Sequence, residues 1–161
     1  MKKLYVIRHG KSDWNQGVRD FDRPLNSRGM KDAPKMGEHL LNNCDIPDHV
    51  LSSSANRAIS TARLLLSSQQ YDLAQIELRE ELYHASVQSI LKEIATVSSN
   101  ISSLYLFGHN PGLSDLVSYL SGIPTELKTC CVATLELQVE NWDELSADTC
   151  ILKAYISPRD I

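Results

Sequence analysis

The segment KLYVIRHGKSDWN (residues 3–15) decides the fold, because a run of strand-forming residues delivers Arg8 and His9 side by side and then stops at Gly10. Two adjacent basic side chains are an odd way to end a buried strand unless they hold something. SLYLFGHNPGLSDL (residues 103–116) repeats the arrangement: an apolar run reaches Gly108, His109 follows, and Asn110-Pro111-Gly112 leads into a helical pattern. Between and beyond these segments, short apolar runs alternate with helical ones. A helix is predicted within 27–42, a strand at HVLSS, a helix from about Ala55 to Leu66, a strand at QIELRE and a helix in SVQSILKEIATV. Two strand-like runs, CVATLELQV and TCILKAYI, close the chain. Such alternation predicts a three-layer α/β/α sandwich with a mostly parallel central sheet and an antiparallel edge at the C-terminal end. Pro34 either kinks the first helix or marks the first turn of a later one.

In open α/β sheets, ligands bind outside the carboxyl ends of the strands. That rule brings Arg8, His9 and His109 to one region. A third segment, SSSANRAISTA (residues 52–62), opens a helix that Ser53 or Ser54 is placed to cap, with Arg57 in its first turn. A cation there opposes the helix dipole, a cost of roughly 0.3 to 1 kcal/mol that an anion bound at the same helix end would offset. Gly10, Gly108 and Gly112 permit tight turns and close backbone approach.

Composition limits the alternatives. A chain of 161 residues predicts one domain over residues 1–161. The net charge of −4, with both signs interspersed, excludes the broad basic face of a nucleic-acid binder. The apolar run behind the N-terminal lysines, Leu4–Ile7, is too short for a signal-peptide core, and no stretch approaches a membrane span, so a cytoplasmic protein is expected. The four cysteines show neither a C-x-x-C pair nor metal-finger spacing, which predicts reduced thiols.

Taken together, RHG at the first strand end, SSSANRAISTA opening a helix and GHNPG at a later strand end resemble the histidine phosphatase superfamily, which includes phosphoglycerate mutases and acid phosphatases. DFDRPLNSRGMKDAPKMGEHL (residues 20–40) and the short length resemble its SixA-type phosphohistidine phosphatases. The resemblance implies that His9 is the nucleophile, that Arg8 and Arg57 hold phosphate, and that His109 is a second active-site histidine. It further implies that Arg23, Gly10 and Asn15 contact substrate, Asn15 because RHGKSDWN is similar to the mutase form. No metal or cofactor is expected, since arginines supply positive charge to a phosphoryl transition state. The implied substrate is phosphohistidine on a phosphotransfer protein, with a small phosphate ester as the nearer rival. A phosphate-sensing binding module is the non-catalytic alternative.

The general acid is where the sequence departs from ester-cleaving relatives. In LREELYHAS (residues 78–86), alignment on Leu82 puts His84 at the acid position, with Glu80 and Glu81 ahead of it. His84 and Glu81 are the candidate acids. A weak acid or none suits a phosphoramidate, whose imidazole leaves readily once protonated on its other nitrogen. Trp14 lies near enough to the first loop to line its mouth.

Overall fold

The computed structural model describes residues 1–15 and 17–161. Among these residues, six strands form one sheet: β1 (Lys3–Arg8), β2 (His49–Ser53), β3 (Glu77–Arg79), β4 (Ser103–Gly108), β5 (Val132–Leu137) and β6 (Cys150–Ile156). Their order across the sheet is β3-β2-β4-β1-β5-β6. The β2–β3, β2–β4 and β1–β4 pairs are parallel, whereas β1–β5 and β5–β6 are antiparallel. The fold is thus a mostly parallel α/β sandwich with an antiparallel edge, as the alternation predicts.

Among the described residues, four helices cover the sheet: α1 (Ser27–Asn43), α2 (Asn56–Leu66), α3 (Val87–Ile94) and α4 (Gly112–Ser121). Strand pleating divides the core between its faces. On β1, Tyr5 and Ile7 pack with Ala33, Met36 and Leu40 of α1 and with Leu65 and Leu66 of α2. Leu4 and Val6 point the other way, to Ile90 and Ile94 of α3 and to Leu113, Leu116 and Leu120 of α4. Both faces of β1 and β4 are covered, which explains why these strands read as unbroken apolar runs rather than alternating ones.

α1 begins at Ser27, with the Asn26 side chain accepting from the Gly29 amide, so Pro34 lies inside the helix rather than in its first turn. Gly37 lets α1 approach α2 closely, because a Cβ there would run into the Leu65 carbonyl. β3 keeps only three residues of the longer predicted run, and short 3-10 turns occupy both of its flanks. Among the described residues the four cysteines are free, three of them buried. Among the described residues, no helix is long and apolar enough to cross a membrane.

Candidate active site

Three parallel strands, β2, β4 and β1, lie side by side and deliver the site from their carboxyl ends. Arg8 ends β1 in register with Gly108, which ends β4, and the His9 amide donates to the Gly108 carbonyl at 3.2 Å. The backbone register therefore puts His9 beside His109, with ring centroids 5.2 Å apart. The chain after β1 goes to one face of the sheet and the chain after β4 to the other, which makes this the switch point where an open α/β sheet forms its crevice.

The crevice is a cavity of about 280 Å³ lined by Arg8, His9, Arg23, Arg57, His84 and His109, with Asp20 and Trp14 on its wall. His9 is buried, and its ring is fixed from both sides. Nδ1–H donates to the Gly10 carbonyl at 2.7 Å, and Arg57 Nε–H points at Nε2 from 3.4 Å, leaving Nε2 with the lone pair. Burial pushes the His9 pKa down to about 4, helped by the nearby Arg57, Arg8 and Arg23 guanidiniums and opposed by the Gly10 hydrogen bond. Desolvation is the larger cause, ahead of like-charge repulsion. His109 is pushed down to about 3, first by burial and then by His9 and Arg57. Both imidazoles are neutral at pH 7.

The arginines are held in different ways. Arg8 Nη1 donates to the Leu127 carbonyl at 3.1 Å, while its buried Nε has no protein partner and burial lowers its pKa. Arg57, the second residue of α2, is buried; its Nη1 donates to the Asp20 carbonyl at 2.7 Å and its Nη2 to Asp20 Oδ2 at 3.0 Å. Arg23 is buried as well; it donates from Nε and Nη2 to Asp20 Oδ1, at 3.2 and 3.1 Å, and from Nη1 to Ser12 Oγ. Among the described residues, four cations line the cavity, Lys11 being the fourth, against the single carboxylate of Asp20. Such a crevice is chemically an oxyanion site.

Several expectations change in detail. Ser53 and Ser54 do not cap α2, whose N-cap is Ala55 without a side-chain bond. Ser53 Oγ instead lies 2.8 Å from His109 Nε2 and accepts from the Ala55 amide at 3.2 Å. Gly10 is not part of the cavity wall: its amide donates to Thr61 Oγ1 at 2.9 Å and its carbonyl takes the His9 ring, so it orients His9 rather than facing the cavity. Asn15 is exposed, its amide donating to Asp13 Oδ1 at 2.8 Å, and it too lies off the wall. Glu80 and Glu81 are exposed on a 3-10 turn outside the cavity. His84 does line it, with a backbone φ of 53°, its ring tilted 40° against that of Tyr83 with centroids 3.9 Å apart, and Nε2 lying 3.6 Å from Asp20 Oδ2.

The residue the sequence reading missed is Asp20. Its carboxylate takes Arg23 on one oxygen and Arg57 and the Tyr83 hydroxyl on the other. The Tyr83 hydrogen bond, then Arg57 and Arg23, hold its pKa far below the usual carboxylate range. The signal was the i, i+3 spacing of Asp20 and Arg23 within DFDRPL.

The fold and the site thus define an α/β protein with a histidine pair in an arginine-rich anion crevice. The family model of the histidine phosphatase superfamily (branch 1) matches residues 4–90, and the chain belongs to that superfamily. It is 30% identical over 157 residues to an uncharacterized chloroplastic protein of Arabidopsis thaliana, covering 91% of this chain and 71% of the relative. A chain assigned as the phosphohistidine phosphatase SixA of Nakamurella multipartitia superposes with a TM-score of 0.85 at 25% identity, covering 98% of this chain and 96% of that one. The protein histidine phosphatase SixA complexed with tungstate also superposes at 0.85, with 20% identity and 98% of each chain covered. The superfamily and the SixA likeness support a phosphatase.

Proposed function

We propose that the chain is a phosphohistidine phosphatase acting on a phosphorylated phosphotransfer protein. The observation that carries the choice of substrate is the state of Asp20. It is the one carboxylate on the cavity wall among the described residues, and its hydrogen bonds from Tyr83, Arg57 and Arg23 keep it ionised at neutral pH. A carboxylate so held does not deliver a proton to an alkoxide. A leaving imidazole needs none from the enzyme. The tungstate held by the SixA neighbour is an oxyanion of phosphate-like shape, which agrees with a phosphoryl site.

In this reading His9 Nε2, neutral at pH 7, attacks phosphorus and forms an N–P bond. The N–P bond to the substrate imidazole breaks, its electron pair stays on the departing nitrogen, and the proton already on the ring's other nitrogen makes the product neutral. Arg8, Arg23 and Arg57 hold the equatorial oxygens as charge spreads over them, and His109 adds a neutral contact from the end of the neighbouring strand β4. Water then hydrolyses phospho-His9, returning orthophosphate and free imidazole.

A small-ester phosphatase is the second reading, favoured by the presence of His84 on the cavity wall near Asp20. The deciding experiment incubates the protein with a phosphohistidine-bearing phosphotransfer domain and, separately, with alkyl and aryl phosphates. Release of phosphate from the domain, with alkyl esters turned over at least 100-fold less efficiently, is the expected result; equal efficiency on alkyl esters overturns the assignment.

A further inference from the structure

Trp14 is 73% exposed, the most exposed aromatic side chain described and a member of neither core cluster. Its position is nonetheless defined. One face of the indole rests on the Arg23 guanidinium, whose carbon lies 3.5 Å from the ring centroid. Arg23 is itself buried and pinned by Asp20 and Ser12. The backbone leading into Trp14 is tied to the Pro24–Asn26 segment, by the Asp13 amide to the Pro24 carbonyl at 2.8 Å and by the Asn26 amide to the Lys11 carbonyl at 2.9 Å. The indole is therefore a fixed π-surface on the wall of the cavity that holds His9. Folding does not need it there, because a guanidinium with its edge satisfied gains little from one exposed stacking partner.

We propose that Trp14 forms the leaving-group subsite, taking a flat aromatic ring against its outward face: the imidazole of phosphohistidine in the protein's own reaction, or the ring of an aryl phosphate. The proposal rests on the phosphatase reading above and deepens it. A phosphoryl group gripped by the arginines and approached by His9 Nε2 must project its leaving group away from His9 and toward the mouth. A planar ring emerging there meets planar apolar area with its orientation already set. Stacking adds to the area the ring buries, and together they give about a five- to tenfold preference over a leaving group of similar charge without a ring. An aromatic leaving group is also the kind that departs without a strong acid, so the subsite and the paired state of Asp20 select for the same chemistry.

The test uses non-hydrolysable probes, so that it does not depend on which substrate is physiological. Dissociation constants for phenylphosphonate, methylphosphonate and orthophosphate are measured by calorimetry on the parent, Trp14→Ala and Trp14→Phe. The parent should bind phenylphosphonate about five- to tenfold more tightly than methylphosphonate, Trp14→Ala should lose that preference, and Trp14→Phe should keep most of it. Trp142 is 1% exposed, so acrylamide quenching reports on Trp14, and phenylphosphonate should protect it more than methylphosphonate does. An unchanged phenyl-to-methyl ratio in Trp14→Ala overturns the subsite. So does an equal loss of all three ligands, orthophosphate included, which would reduce Trp14 to a support for Arg23. If the phenyl preference follows Trp14 while the phosphotransfer domain is not hydrolysed, the subsite stands and the substrate assignment falls.

Discussion

Arg57 grips Asp20 at two points, donating to its main-chain carbonyl at 2.7 Å and to its carboxylate at 3.0 Å. The same carboxylate holds Arg23 through its other oxygen, so one side chain sets the spacing of two buried guanidiniums. Its negative charge also sits beside the place where an anion must bind. These two effects have opposite signs. Asp20→Asn should bind orthophosphate as tightly as the parent or more tightly, since a like charge is gone. Its kcat should nevertheless fall about 10- to 100-fold, because arginines no longer held in place stabilise the transition state less well. Steady-state kinetics beside phosphate calorimetry would show the split; a parallel loss of affinity and rate would mean Asp20 acts only through stability.

Arg57 itself presents a fork whose Nε faces His9 Nε2 and whose two terminal nitrogens reach Asp20. Arg57→Ala should lower kcat/KM by about 10² to 10³-fold, the cost of one preorganised contact to developing charge. Arg57→Lys should recover only part of this, since an ammonium neither spans two phosphate oxygens nor keeps the Asp20 bonds. Full activity in the lysine variant, measured on the best substrate, would remove fork geometry from the account.

Much of this was legible in the sequence, for identifiable reasons. Arg8, His9 and His109 stand at or just past the ends of β1 and β4, parallel neighbours with buried apolar interiors, and the carboxyl-end rule then places them together without knowledge of side-chain packing. The strand runs were long and apolar enough to be unmistakable, except at β3, where pairing with β2 alone supports only three residues. The contact between Asp20 and Tyr83 was not legible, because it spans 63 positions and neither residue lies in a periodic segment. Ser53 was misread because a serine before a helix has two uses, capping and side-chain pairing. Only the adjacency of β2 to β4 shows that His109 claims it.

The neutral histidines predict a specific response to acid. His9 and His109 carry folded-state values of about 4 and about 3, against 6.5 for an unperturbed imidazole. Between these limits the unfolded chain binds more protons than the folded one, so their contribution to stability is complete above pH 6.5 and is lost as pH falls toward 4. Thermal denaturation from pH 8 to pH 4 should show Tm declining below pH 6.5, and the decline should flatten in His9→Gln. A histidine that titrated normally would instead put the acid limb of kcat/KM near 6.5; here that limb should not come from His9.

The identity of the nucleophile is tested by trapping. His9→Ala should abolish turnover, a loss of at least 10³-fold, while orthophosphate still binds the arginines within a few-fold of the parent. Rapid quenching with labelled substrate should capture an acid-labile, base-stable phosphoenzyme in the parent and none in the variant. Equal trapping in both proteins would move the nucleophile elsewhere.

The leaving group sets the last prediction, because substrate choice depends on it. Glu80 and Glu81 stand outside the cavity and His84 stands on its wall, so the three variants are not equivalent. Glu80→Gln and Glu81→Gln should leave activity on every substrate within about twofold of the parent. His84→Ala should leave phosphohistidine hydrolysis within a few-fold and lower whatever alkyl phosphate activity the parent has. The reason is that a general acid contributes about 10² to 10⁴-fold only where a proton must be delivered in the transition state. Imidazole departs without that help and alkoxide does not, while aryl phosphates, whose anions are stable, should fall between them. The comparison is kcat/KM for the three substrate types across the parent and the three variants. If His84→Ala removes phosphohistidine and alkyl phosphate activity to the same extent, His84 serves both reactions as an acid. The argument from Asp20 for a phosphoramidate substrate would then fail, since a proton donor would be present after all.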